Sequence, residues 1–536
     1  MSENRQARAV ELLKGYLEKV EPLYCAQASA VWGLSTTAED HHVKALGEVS
    51  NALDRIHSDP ALFAQVAELR DGLDEPVLQR RLDGLYRHML GKQGDAELLE
   101  AIVAREAELQ QLFNTFRGEL NGKPVADHEL QELLDRSDDS SERQAAWETS
   151  KQVGVAVAPH VIELAKLRNT LARSQGFRDH FAKGLFLQEL EEDWLDGVFT
   201  ELAARTSAAY GEARARLDAT RCARFGIETS ALRPWHYGDP FCQGVPADAG
   251  VDLDPFFEGV DIAEVTARFF TDLGLDIAPM MAASDLHPRE RKNQHAFCID
   301  MNRAGDVRVL ANLRPSRSWM ATMLHEFGHA VYDRYMDLSL PFDLRGPAHI
   351  LTTEAIAMLM GRFAMRPDFI TRYVAPDFDA AAHAEALQWR QGLEMLTLVQ
   401  WVLVMVNFER ALYADPDHAD LNGLWWELVE RHQQVSRPES RRGATGLADW
   451  AAKIHLSIAP VYYQNYLLGE LMASQLELAM GEALGIDGSF IGQAGAGPWL
   501  CREVFAPGGS VTWDALVSSA TGRPLGPDAF VKAFAG

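Results

Sequence analysis

The chain has 536 residues, 47% of them hydrophobic and 24% charged, enough apolar material for more than one compact unit. Its 51 basic and 77 acidic side chains leave a formal charge of −26, which disfavours nucleic acid and acidic membrane surfaces as partners, both being polyanions. Five scattered cysteines, Cys25, Cys222, Cys242, Cys298 and Cys501, form no CxxC pair and are odd in number. That pattern argues against a disulfide framework and for a reduced, cytoplasmic protein. The polar opening Met1-Ser2-Glu3-Asn4-Arg5-Gln6 has no signal-peptide pattern, and without a run of about 18 uncharged apolar residues no membrane span is expected.

Helical periodicity dominates the first half. Residues 6–35, 41–72, 76–92 and 94–122 carry apolar positions three and four apart. Asp59-Pro60, Asp74-Glu75-Pro76 and Gly122-Lys123-Pro124 read as breaks. Residues 140–220 continue in the same style, and an irregular stretch rich in Gly, Pro and Asp runs from about 233 to 257. Two strands are predicted next, 294–300 and 307–313, joined by the turn residues Asn302-Arg303-Ala304-Gly305-Asp306. A helix then starts after Pro315, with Ser316 as its N-cap. From about 352 to 486 the chain reads as helical again, and 487–536 is richer in Gly and Pro. The glycines of 492–497 lack a preceding strand and a Lys-Ser/Thr ending, so they read as an ordinary surface loop.

The helix after Ser316 carries His325-Glu326-Phe327-Gly328-His329. Histidines four apart share one helix face, with Cβ atoms about 5–6 Å apart, and can converge on one tetrahedral zinc. Glu326 beside them can take a proton from a water and return it to a leaving amine. Gly328 weakens the helix, and its small size is expected to leave room beside the metal. A catalytic zinc needs a third protein ligand. Tyr332 and Tyr335 stand where an extended motif would place a Gly and a third His, so the ligand must come from another element. Glu354 heads a nearly all-apolar helix, Ala355-Ile356-Ala357-Met358-Leu359-Met360, where an unpaired carboxylate is costly and a cation would remove the cost. Asp343 and His349, on the connecting loop, are the weaker candidates.

These residues resemble the zinc peptidases of the angiotensin-converting enzyme family, and more distantly thimet oligopeptidase, over about 290–360 and 450–475. The resemblance implies a mainly α fold: a two-lobed helical peptidase with a deep central channel and a small β-sheet beside the zinc helix. On that reading 1–240 form a helical N-terminal lobe and 241–536 the catalytic lobe. It also implies one zinc per chain on His325, His329 and Glu354. The 25-residue gap from His329 to Glu354 is one longer than in the converting enzymes and matches thimet oligopeptidase. By the same resemblance His295 and Ala296 hold the substrate backbone, Lys453 and Tyr463 hold its C-terminal carboxylate with Gln243, and His455 and Tyr466 stabilise the oxyanion. Tyr463 is preferred to Tyr462 because Tyr463 to Tyr466 keeps the family's three-residue step.

Two departures stand out. Met358 occupies the place of an Asp that supports a zinc-binding His in the converting enzymes, so another group must orient the imidazole. Asn465 replaces a chloride-binding Arg, which puts chloride activation in doubt. The expected function is zinc-dependent hydrolysis of short peptides, as a dipeptidyl carboxypeptidase or an oligopeptidase. The rivals are a helical zinc carboxypeptidase releasing single residues and a non-catalytic peptide-binding protein of the same fold.

Overall fold

The computed structural model describes residues 2–486 and 488–536. The chain forms two compact units, neither continuous in sequence: Met1–Gln93, Leu253–Ala384 and Leu468–Ala529 make the first, and Gly94–Asp252, Glu385–Leu467 and Phe530–Gly536 the second. A division near residue 240 cuts across both. The reason it could not be read is physical: three of the crossing points fall inside the continuous helices Ala380–Ala414, Gln464–Leu484 and Asp528–Phe534, where no break in periodicity marks them. Helices dominate both units, and among the described residues sheet is confined to two antiparallel pairs.

In the first unit, α1 (Ser2–Thr37), α2 (Asp40–His57), α3 (Pro60–Leu69) and α4 (Pro76–Leu90) lead the chain. Two of the expected breaks are helix starts. Asp59 caps α3 by accepting from the amides of Ala61 and Leu62, Glu75 does the same for α4, and each is followed by a proline whose missing N–H costs nothing at that position. Ala9, Leu13, Val66, Leu69, Leu82 and Met89 bury one shared core. The hairpin follows at β1 (Phe297–Asp300) and β2 (Val307–Leu310), shorter than predicted and paired from Phe297↔Leu310 to Asp300↔Val307. Asp285 bridges the far side of β2, so β1 is the outer strand.

Next come α5 (Arg317–Arg334), capped by the Ser316 side chain as predicted, and α6 (Ile350–Gly361). Leu351, Ala355, Ile356, Ala357, Leu359 and Met360 of α6 are all fully buried, which is why its sequence is apolar on every side. α5 and α6 approach closely because Gly328 has no side chain. A Cβ there would stand 2.7 Å from the Ala357 Cα and 3.1 Å from its nitrogen. The glycine therefore makes room for the neighbouring helix, a correction to the expectation that it makes room for the metal.

In the second unit, the predicted helix 94–122 ends at Thr115, and a hairpin of Gly118–Leu120 with Lys123–Val125 follows. Its turn is Asn121-Gly122, both at positive φ, the backbone that two-residue hairpins demand. The helix Gln152–Ser174 packs on the segment that leads to Lys453: a Cβ on Gly154 would lie 2.2 Å from the Ala448 carbonyl oxygen. That segment is anchored by buried Asp449, held by Arg441 at 3.0 Å on each carboxylate oxygen and by the Trp426 indole N–H at 2.8 Å. The helix Ala380–Ala414 is long and apolar enough to cross a membrane by length and composition, yet 72% of its most apolar window is buried inside the protein, as in a core helix. All five cysteines are free.

Candidate metal centre and carboxylate cluster

α5 and α6 bring His325, His329 and Glu354 together in the first unit, their donor atoms within 4.8 Å of one another. Glu354 Oε2 lies 3.7 Å from His325 Nε2 and 3.9 Å from His329 Nε2. Tetrahedral zinc with ligands at 2.0–2.1 Å would separate donors by about 3.3 Å, so the three groups fit the ion after closing by a few tenths of an ångström. Burial pushes the His325 imidazole down to about 4, and burial with the neighbouring His325 pushes His329 down to about 3. Both rings are therefore neutral near pH 7 and offer a lone pair. Glu354 is pushed up by burial. Glu326 rises to about 7 through burial and the Glu354 carboxylate, with the Cys298 backbone N–H pulling the other way. Two carboxylates and two neutral imidazoles brought this close together call for a cation. Glu39, His41 and His42 also gather three donors, but on the surface.

Met358 does not orient an imidazole; Thr353 does. Its Oγ1 lies 2.7 Å from His329 Nδ1, which leaves Nε2 for the metal once Nδ1 carries the proton. No sequence signal marked Thr353, because its partner is on another helix. Thr353→Val is expected to speed zinc loss to a chromogenic chelator by about 10–100-fold, with Thr353→Ser close to the parent; equal release rates in all three proteins would remove this role. The two weaker ligand candidates are employed elsewhere. Asp343 accepts from Arg81 Nε at 2.9 Å, and His349 is the N-cap of α6, accepting from the Leu351 amide at 3.0 Å.

His295 and Ala296 lie in a bend just before β1, not within it, and His295 is exposed. The chain turns there because the His295 amide donates to the Asn293 side chain at 3.0 Å.

The second unit assembles the other predicted residues. Lys453 Nζ donates to Gln243 Oε1 at 2.7 Å, and the rings of Phe241, Trp401 and Tyr463 lie 5.2, 5.3 and 5.8 Å from that nitrogen. Burial lowers the Lys453 ammonium to about 8, against the pull of Asp239. Asp239, which the sequence reading passed over, shapes this turn by accepting from the amides of Phe241, Gln243 and Gly244. Tyr463 is buried against Trp401 and its phenol is pushed up by burial. The ring of His455 lies 5.1 Å from Tyr463, and that of Tyr466 5.5 Å. His455 Nδ1 is buried without a hydrogen-bond partner, and burial with the nearby Lys453 lowers the ring to about 4. Tyr463 shares the surroundings of Lys453. Asn465 is buried and donates to Gln188 at 2.7 Å.

The family described as angiotensin-converting enzyme matches residues 3–210 and 254–534. The chain belongs to the angiotensin-converting enzyme family. The mouse angiotensin-converting enzyme is 23% identical over 442 residues, covering 74% of this chain and 32% of that protein; the chain thus spans about a third of the length of the curated relative it matches. The more distant resemblance to thimet oligopeptidase finds no support in these matches. In this member of the family Thr353 Oγ1 contacts His329 Nδ1, where the resemblance expected an acid at position 358.

Proposed function

We propose that the chain is a dipeptidyl carboxypeptidase acting on short peptides. The observation that carries the carboxy-terminal part is the buried Lys453–Gln243 contact at 2.7 Å with Tyr463 beside it. An ammonium lowered only to about 8 stays mostly protonated at neutral pH, and a peptide's terminal carboxylate is the ligand that best offsets its burial.

His325, His329 and Glu354 would hold zinc, which when bound would supply Lewis acidity and lower the pKa of a water. Glu326 takes the proton of the attacking water and later hands it to the leaving amine; a carboxyl pushed toward 7 suits both halves of that task. His455 and Tyr466, on the family resemblance, donate to the oxyanion, and neutral His455 does so without adding charge. His295 and Ala296 guide the peptide toward the outer strand β1 as an added strand. Five free cysteines support a reducing, cytoplasmic setting.

The test is a hexapeptide with a free C-terminus beside its amidated twin, with and without a chelator, read by mass spectrometry. Chelator-sensitive release of a dipeptide from the free acid alone is the expected result. Equal cleavage of both twins would make the protein an endo-oligopeptidase, and single-residue release a carboxypeptidase. No cleavage by zinc-loaded protein would bring the peptide-binding reading forward.

A further inference from the structure

The first unit also holds a cavity of about 740 Å³ walled by α1, α2, α4, the β1–β2 turn and the loop 342–348, a size common for small-molecule sites. None of the three metal donors lines it. Its charge runs against that of the chain. Arg80, Arg81, Lys92 and Arg303 face it against only Asp54 and Asp343, four cations to two carboxylates in a protein of formal charge −26.

Both carboxylates are already engaged. Asp343 takes Arg81 Nε at 2.9 and 3.1 Å, and Asp54 meets Lys92 Nζ at 3.0 Å. Arg80 is held in place by the carbonyl oxygens of Gly509 and Ala348 at 3.1 and 3.4 Å. Arg303 lies 4.3 Å from the Tyr24 ring centre and donates to the Phe342 carbonyl at 3.2 Å. Burial and Asp300 push the buried Asp333 carboxyl up to about 8 while Arg303 pulls it down, and Asp300, also pushed up by burial, feels the same guanidinium.

The remaining polar wall is neutral. Tyr16 Oη lies 2.9 Å from His57 Nε2, and His57 Nδ1 lies 3.2 Å from His88 Nε2. Burial lowers His57 to about 4 and lowers His88 as well, so the pair enters as hydrogen-bonding groups without charge. Leu17, Val20, Leu53 and Leu85 add an apolar side.

We propose that this cavity binds a small organic anion, a single carboxylate or phosphate on a compact, partly apolar body. Arg80 and Arg303 take the anionic group and the leucine–valine side takes the body. The wall residue Ala348 directly precedes the N-cap of α6, so an occupant steadies the loop leading into the helix that carries Glu354.

The test titrates the zinc-loaded protein in a calorimeter with benzoate, phenyl phosphate and uncharged benzyl alcohol. Saturable binding of at least one anion and none of the alcohol is expected, and which anion binds more tightly distinguishes carboxylate from phosphate chemistry. Arg303→Gln and Arg80→Gln should each weaken that binding about 10–100-fold, and Tyr16→Phe about three- to tenfold. Circular dichroism confirms that each variant is folded, and the tyrosine variant stands in if an arginine variant is not. Hydrogen exchange should slow at residues 342–349 when the anion is bound. No saturable binding of either anion, equal binding of the alcohol, unchanged affinity in every folded variant, or protection confined to other segments would each overturn the assignment. No peptide cleavage is read, so the outcome is independent of the proposed hydrolysis.

Discussion

Glu326→Gln is expected to lower kcat on a cleavable peptide by about 10²–10⁴-fold while the protein keeps one zinc. Glu326 projects from the same helix as the two metal histidines, and the three donors that gather at one point do not include it. The amide keeps its size and shape and loses the ability to take a proton. The carboxyl it replaces is raised by burial and by the Glu354 charge, the environment of a group that both accepts and donates near neutral pH. Zinc content by atomic absorption and kcat by peptide assay separate the two effects. A variant with normal zinc and near-normal kcat would show that another group moves the proton. A variant without zinc would show that Glu326 belongs to the metal set.

A second large effect is expected from Gly328→Ala, which changes no ligand and no charge. The added methyl would stand 2.7 Å from the Ala357 Cα. Backbone cannot swing aside as a side chain can, so α5 and α6 must part. Overpacking of this kind costs about 1–3 kcal/mol. Here it also widens the gap between His325 and His329 on one helix and Glu354 on the other, which already stands at 3.7 and 3.9 Å. The variant should melt at a lower temperature and purify with less than one zinc. Gly361→Ala is the matched control: its Cβ would meet the Ala321 carbonyl at 3.4 Å and His325 Cβ at 3.5 Å, which is ordinary contact. If both variants hold zinc alike, the close approach at Gly328 does not position the ligands.

These two predictions differ in where their grounds lie. Glu326 was legible in the sequence because its partners are its neighbours: a four-residue step puts two imidazoles on one helix face whatever the rest of the chain does. The Ser316 cap and the Asp59-Pro60 and Glu75-Pro76 starts were legible for the same reason, since a capping side chain bonds amides two or three residues away. Glu354 could be picked out because one carboxylate heading an apolar helix is costly without a partner. The block Lys453, His455, Tyr463 and Tyr466 came from family resemblance, and the second unit does draw those side chains together with Gln243.

Local periodicity misled where the chain doubles back. The Asn121-Gly122 hairpin was read as part of a helix and its break, because the apolar spacing before it is helical until Thr115. His295 and Ala296 were placed in a strand that begins only at Phe297.

By itself, then, the sequence determined the helical class, the caps and the helix that sets His325 and His329 on one face, because each depends on contacts among residues a few positions apart. Only the tertiary structure decided the interleaving of the two units, the hydroxyl of Thr353 on His329, the true neighbour of Gly328 and the basic cavity beside α1, α2 and α4. Each of these joins residues whose separation in the chain is set by packing between helices, and no periodicity along one helix records which face of another it will meet.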